Sequence, residues 1–151
     1  MLTKIIATIA ILSTTAAFSC TIDGNEGIVP ENDLWISTTA KSKNTMDETR
    51  FNAIIDKVEK IYAPIITQMG GNLLISRSWD SGTVNAYASR SGSTWNVAMF
   101  GGLARHQTIT DDGFALVVCH EVGHHIGGAP KKGGWIGGNK WASNEGQADY
   151  F

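Results

Sequence analysis

Residues 120–130 spell HEVGHHIGGAP, and the reading of the whole chain turns on them. The apolar run Phe114-Ala-Leu-Val-Val118 leads in, and Gly127-Gly128 with Pro130 just beyond leads out. That pattern predicts a helix, opened by Thr110 as a hydroxyl cap and by Asp111 and Asp112 at the positive end of its dipole. On a helix His120 and His124 stand one turn apart, with about 5–6 Å between their Cβ atoms. Two imidazoles at that separation can reach a single ion at roughly 2.0–2.1 Å, the bond length zinc requires. Glu121 lies about 100° further round the helix axis. It flanks such an ion without ligating it, where it can take a proton from a water activated by the metal.

Two histidines make an incomplete site, and the third ligand decides the class of chemistry. The metzincin extension H-E-x-x-H-x-x-G-x-x-H puts a histidine at position 130, but Pro130 stands there and cannot bind a metal. Gly127 is then simply the helix stop. Downstream, Ser143-Asn-Glu-Gly-Gln-Ala-Asp149 offers Glu145 and Asp149 at i and i+4, on one face of a predicted short helix capped by Ser143 or Asn144. Glu145 follows His124 by 21 residues, across a segment with six glycines in residues 127–138, long enough for that helix to fold back. Glu145 then completes a His120–His124–Glu145 set, and Asp149 accepts the outer N–H of one histidine, fixing its tautomer. The glycines do not make a phosphate-binding loop, because no G-x-x-x-x-G-K-[ST] occurs and no strand leads into them. They predict a flexible loop beside the site.

Upstream, Thr45-Met-Asp-Glu48 is a capping box, with Thr45 as the expected cap. Phe51, Ile54, Ile55, Val58, Ile61, Tyr62, Ile65, Ile66 and Met69 then form a stripe at 3.6-residue spacing, which predicts a long helix with a core-facing side. Pro64 is expected to kink it and Gly70-Gly71 to end it. Three strand-like segments follow at 72–79, 84–90 and 94–100, the last two joined by a short hairpin at Ser91-Gly92-Ser93. Tyr87 and Trp95 are expected to pack on the sheet face. His125 is expected in loop or surface packing, and His106 lies just ahead of the metal-binding helix.

The chain has 151 residues, enough for one compact domain and not two. With a formal net charge of −2 and no run of like charges, nothing suggests nucleic-acid binding or attachment to a membrane through basic residues. Residues 1–19 have the three-part layout of a secretory signal: Lys4, an apolar run from Ile5 to Leu12, then small residues. Cys20 follows that signal and is a candidate for lipid attachment, although Phe18 is bulkier than such sites prefer. Residues 20–45 are rich in Gly, Asn, Asp, Ser and Thr and predict a tether to the domain at 46–151. The only other cysteine, Cys119, is expected as a buried free thiol rather than a bridge to Cys20. Export to a bacterial envelope or beyond is the implied location, with a lipid on Cys20 as the sole membrane attachment.

H-E-V-G-H followed by E-G-Q-A-D resembles the gluzincin metallopeptidases, and more closely the family of the heat-shock protease HtpX and the CAAX prenyl endopeptidases. That family shows an N-A-[FY]-A strand, a second strand ending in glycine, and then the zinc helix. Here Asn85-Ala-Tyr-Ala88, Trp95 to Gly102 and Leu116 to Glu121 match in order, over roughly residues 46–151. The resemblance implies an α+β, zincin-like domain with a long N-terminal helix, a small mainly antiparallel sheet, a zinc helix and a short glutamate helix. It implies one Zn2+ per chain, a protein or peptide substrate, and hydrolysis by a metal-activated water with Glu121 as general base. It also implies that Asn85, Ala86, Tyr87 and Ala88 form an edge that pairs with extended substrate. Family members continue beyond the position of Phe151 with residues that help stabilise the oxyanion, so the domain is expected to be incomplete at its C-terminus. Two alternatives remain open: a non-catalytic exported protein holding structural zinc, and an inactive metallopeptidase fragment.

Overall fold

The computed structural model describes residues 28, 32–40, 44–133 and 140–151. The expected signal at 1–19 and Cys20 lie outside the described residues, as does most of the expected tether. Helix α1 (Glu48–Gln68) starts two residues later than the Thr45 cap requires. Asp47 caps it instead, its carboxylate accepting Arg50 N at 2.8 Å, and the Thr45 hydroxyl accepts from the Arg50 guanidinium. Phe51, Ile54, Ile55, Val58 and Ile66 are buried, each contributing about 1.5–3 kcal/mol by leaving water. Ile61, Ile65 and Met69 on the same stripe are exposed, because the stripe is wider and longer than the surface covering it. The helix runs on through Pro64, which is exposed.

Strands β1 (Asn72–Ser78), β2 (Ala86–Ser91) and β3 (Thr94–Phe100) form one sheet in the order β1-β3-β2. The sheet is mixed rather than mainly antiparallel. β2 and β3 make the expected antiparallel hairpin, with Ser91 opposite Thr94 and Gly92 at φ +58° in the two-residue turn. β1, however, runs parallel to β3, Asn72 opposite Thr94 through Ser78 opposite Phe100. The excursion through residues 79–85 carries the chain past the position beside β1 and puts β2 on the far edge. Among the described residues β2 is thus an edge strand, and its Ala86 carbonyl accepts from Ile28 N at 2.9 Å.

β3 continues into a single helical turn, α2 (Gly101–Ala104), where the sequence suggested only a strand end. Helix α3 (Asp111–Ile126) then crosses the core, and α4 (Glu145–Tyr150) packs against it. Phe114, Val118 and Val122 of α3 join Phe51, Ile55, Ile66, Leu73, Ile75, Val97 and Met99 in a single apolar cluster. Arg105 is buried and fans its guanidinium onto the carbonyls of Ile36, Trp79 and Ser81, pinning the 32–40 segment to the domain. No helix among the described residues is long and apolar enough to cross a membrane.

Candidate metal centre

Helix α3 presents the first two side chains. Thr110 caps it as expected, accepting Gly113 N at 3.0 Å, and the helix is buried without interruption from His120 to Ile126. The rings of His120 and His124 stand edge to face, centroids 4.7 Å apart. His124 Nδ1 donates to the Ser143 carbonyl at 2.8 Å. A carbonyl only accepts, so the proton sits on Nδ1 and the lone pair on Nε2 faces inward, where it meets no hydrogen-bond partner. His120 turns its Nδ1 to Asp149 Oδ1 at 2.7 Å and its Nε2 to Glu145 Oε2 at 3.1 Å. The same Glu145 oxygen lies 3.6 Å from His124 Nε2.

α4 supplies both carboxylates. Asn144, one of the two caps expected, accepts Gln147 N at 3.0 Å and fixes the first turn on which Glu145 sits. α4 reaches α3 only because residue 123 is glycine: a Cβ there would stand 2.6 Å from the Ala148 carbonyl oxygen. The Ser143 backbone clamps the same junction, its N–H donating to the His124 carbonyl at 2.8 Å. One ligand atom from each of His120, His124 and Glu145 lies within 4.8 Å of the others. These three could hold a metal ion.

The fit of a cation can be tested on the donors themselves. Glu121 is fully buried, and neither of its carboxylate oxygens has a hydrogen-bond partner. Burial, aided by the nearby Glu145 charge, pushes Glu121 up to about 7, against the pull of His120 and Lys132. Burial draws the His120 imidazole down, but Glu145, Glu121 and Asp149 outweigh it and the net shift is upward. His124 is held below the usual imidazole range, chiefly by burial. Burial works to raise Glu145, yet contacts with His120 and Lys132 hold it down at about 2. A proton on His120 would answer only one of these lone pairs, leaving His124 Nε2 and Glu121 unserved. A cation among the three ligand atoms serves both imidazoles and Glu145 at once, so the residues fit it.

The chain matches no family model, no curated protein and no solved structure. Its chemistry therefore rests on the site alone. Of the other residues singled out in the sequence, Asn85 precedes β2, while Ala86, Tyr87 and Ala88 lie on that edge strand, Ala86 and Ala88 buried. His106 turns to the Thr108 hydroxyl at 2.8 Å. Cys119 is a half-buried thiol beside the Tyr62 hydroxyl, and burial pushes it up.

Two features escaped the sequence. His125 is buried between Trp95 and Trp141, with centroids 5.5 and 4.9 Å away, and is held down at about 3, mainly by burial. Arg90 lies over Trp95 at 3.4 Å and donates to the His125 carbonyl at 2.8 Å, tying β2 to the end of α3. Lys132, from the glycine-rich loop, forms an ion pair with Glu145 Oε1. A basic residue in a loop facing an acidic ligand was the available signal, but the pairing depends on the loop's path.

Proposed function

We propose that this chain is a zinc-dependent endopeptidase, with His120, His124 and Glu145 as metal ligands and Glu121 as general base. One observation carries the reading: two imidazole nitrogens and one carboxylate oxygen, from His120, His124 and Glu145, lie within 4.8 Å of one another. Four-coordinate zinc with bonds of about 2.0–2.1 Å sets its ligand atoms about 3.3–3.4 Å apart. The separations of 3.1 and 3.6 Å from Glu145 Oε2 to the two imidazoles lie near that edge, and all three ligand atoms are within 4.8 Å of one another. Three protein ligands are also the number that catalytic zinc sites use, whereas closed structural sites take four.

Bound there, the ion supplies Lewis acidity that acidifies water and polarises a carbonyl. The remaining work belongs to the chain. Glu121, fully buried beside the ligands, takes the proton of the attacking water and delivers it to the leaving amine nitrogen. Asp149 holds the His120 tautomer, and the Ser143 carbonyl holds that of His124. The substrate class is protein or peptide, with the β2 edge at Ala86–Ala88 as the pairing surface, an extended substrate taking the place of Ile28 N on the Ala86 carbonyl. Export to the bacterial envelope, with Cys20 as a lipid site, completes the reading, and intact mass of the mature protein tests that part.

The experiment is Glu121→Gln. The variant is expected to retain one zinc per chain by elemental analysis and to lose about 10²–10⁴-fold in hydrolysis of an unstructured protein. Undiminished turnover in the metal-loaded variant would remove Glu121 from the mechanism.

A further inference from the structure

Glu145 is held from two sides, and the two holds act on different oxygens. Oε2 faces His120 and His124, whereas Oε1 is paired with the Lys132 ammonium. Lys132 is not a surface side chain that happened to fold inward: its side chain is only 11% exposed. Its backbone is tied as well. Lys132 N donates to the Ala142 carbonyl at 2.8 Å, Asn144 N to the Pro130 carbonyl at 2.9 Å, and Lys131 bridges Ser143. The two arms of the glycine-rich loop are thus zipped at their base. The zip places position 132 alongside position 145 and is itself anchored to α3 through Ser143.

We propose that Lys132 is a positioning residue that keeps Glu145 a one-oxygen metal ligand by occupying its second oxygen. This rests on the metallopeptidase reading. A carboxylate can bind a cation through one oxygen or both. With Oε1 engaged by an ammonium, only Oε2 is offered alongside the two imidazoles. Three donor atoms and a water would make a four-coordinate site with room for a scissile carbonyl, whereas a two-oxygen Glu145 beside the same water would make it five-coordinate and crowd the carbonyl out. The lysine also separates two effects that normally run together. Its positive charge opposes a nearby cation, so it weakens rather than tightens metal binding. It serves the geometry of the ligand and not the affinity.

The test uses the full chain loaded with Co2+, whose visible absorption is several-fold stronger in four-coordinate than in five-coordinate sites. Lys132→Met is expected to lose at least half of that absorption while binding Co2+ as tightly as the wild type or more so. Lys132→Arg, which keeps a cation against Oε1, is expected to keep the wild-type spectrum, and Lys132→Ala repeats the loss if the apolar side chain unsettles the loop. Spectra of Lys132→Met and Lys132→Ala that superpose on the wild type would overturn the positioning role and leave the metal site intact. A wild-type chain that takes up no Co2+ would overturn the metal reading and this inference together.

Discussion

His120 and His124 are matched in sequence and unequal in support. His124 leans on a backbone carbonyl, that of Ser143, which no side-chain substitution removes. His120 leans on the carboxylate of Asp149, a largely exposed side chain at the far turn of α4. The outer partner of a metal-binding histidine fixes its tautomer and raises its basicity, and losing it commonly costs 10–100-fold in metal affinity. Asp149→Asn keeps an accepting oxygen but removes the charge, so zinc affinity is expected to fall by about that factor in competition with a chromogenic chelator. Tyr150→Ala, which changes an exposed side chain next to Asp149, is expected to leave affinity unchanged, and equal losses in the two variants would show that Asp149 does not act through the His120 imidazole. Arg105 gives the parallel case for stability. Arg105→Met strands the carbonyls of Ile36, Trp79 and Ser81 in a buried setting and is expected to cost about 2–4 kcal/mol in urea unfolding.

At the level of elements, the site is a junction of two helices, and its tolerance is set by Gly123. The glycine sits within the HEVGH stretch, where the sequence assigned it no role. A methyl group there meets the Ala148 backbone, not a side chain that could swing aside. Gly123→Ala is expected to push α4 away from α3, costing about 1–3 kcal/mol in stability and more than tenfold in zinc affinity. A variant that retains zinc affinity by chelator competition would mean that the ligand set tolerates a shift of α4. The same contrast explains what was legible beforehand. The spacing of His120, Glu121 and His124 is a local property of one helix, and the i, i+4 relation of Glu145 and Asp149 a local property of another, so both were readable. The hairpin at Gly92 was readable for the same reason. What could not be read were pairings across distance: β1 beside β3 in parallel, Arg90 over Trp95 and His125, and Lys132 against Glu145. Even the α1 cap was misplaced by two residues, because Thr45 and Asp47 both carry a capping oxygen and only the packing of Met46 and Phe51 chooses between them.

For the molecule as a whole, the proposed metal would add one more polar tie between the body of the domain and its last helix. Of α4, only Ala148 is buried, while Tyr150 and Phe151 are largely exposed, so little hydrophobic energy holds the helix down. Its hold on α3 is polar: the Gln147 side chain donates to the Gly127 carbonyl at 2.6 Å, and Asp149 and Glu145 meet the histidines. An ion bound only by the folded chain adds stability in proportion to the logarithm of its concentration over its dissociation constant, about 4 kcal/mol at a thousandfold excess. In a domain of roughly 100 residues each kcal/mol moves the melting temperature by about 4 °C. Chelator is therefore expected to lower the melting temperature by about 16 °C relative to a thousandfold excess of zinc. Glu145→Ala, which removes one ligand, is expected to lose most of that zinc-dependent increment while the sheet, α1 and most of α3 still unfold as one cooperative unit. Circular dichroism melts of both proteins, with zinc and with chelator, measure this directly. Equal melting temperatures for the wild type under the two conditions would mean that no ion closes the junction, and the ligand set would then have to be explained by its protons alone.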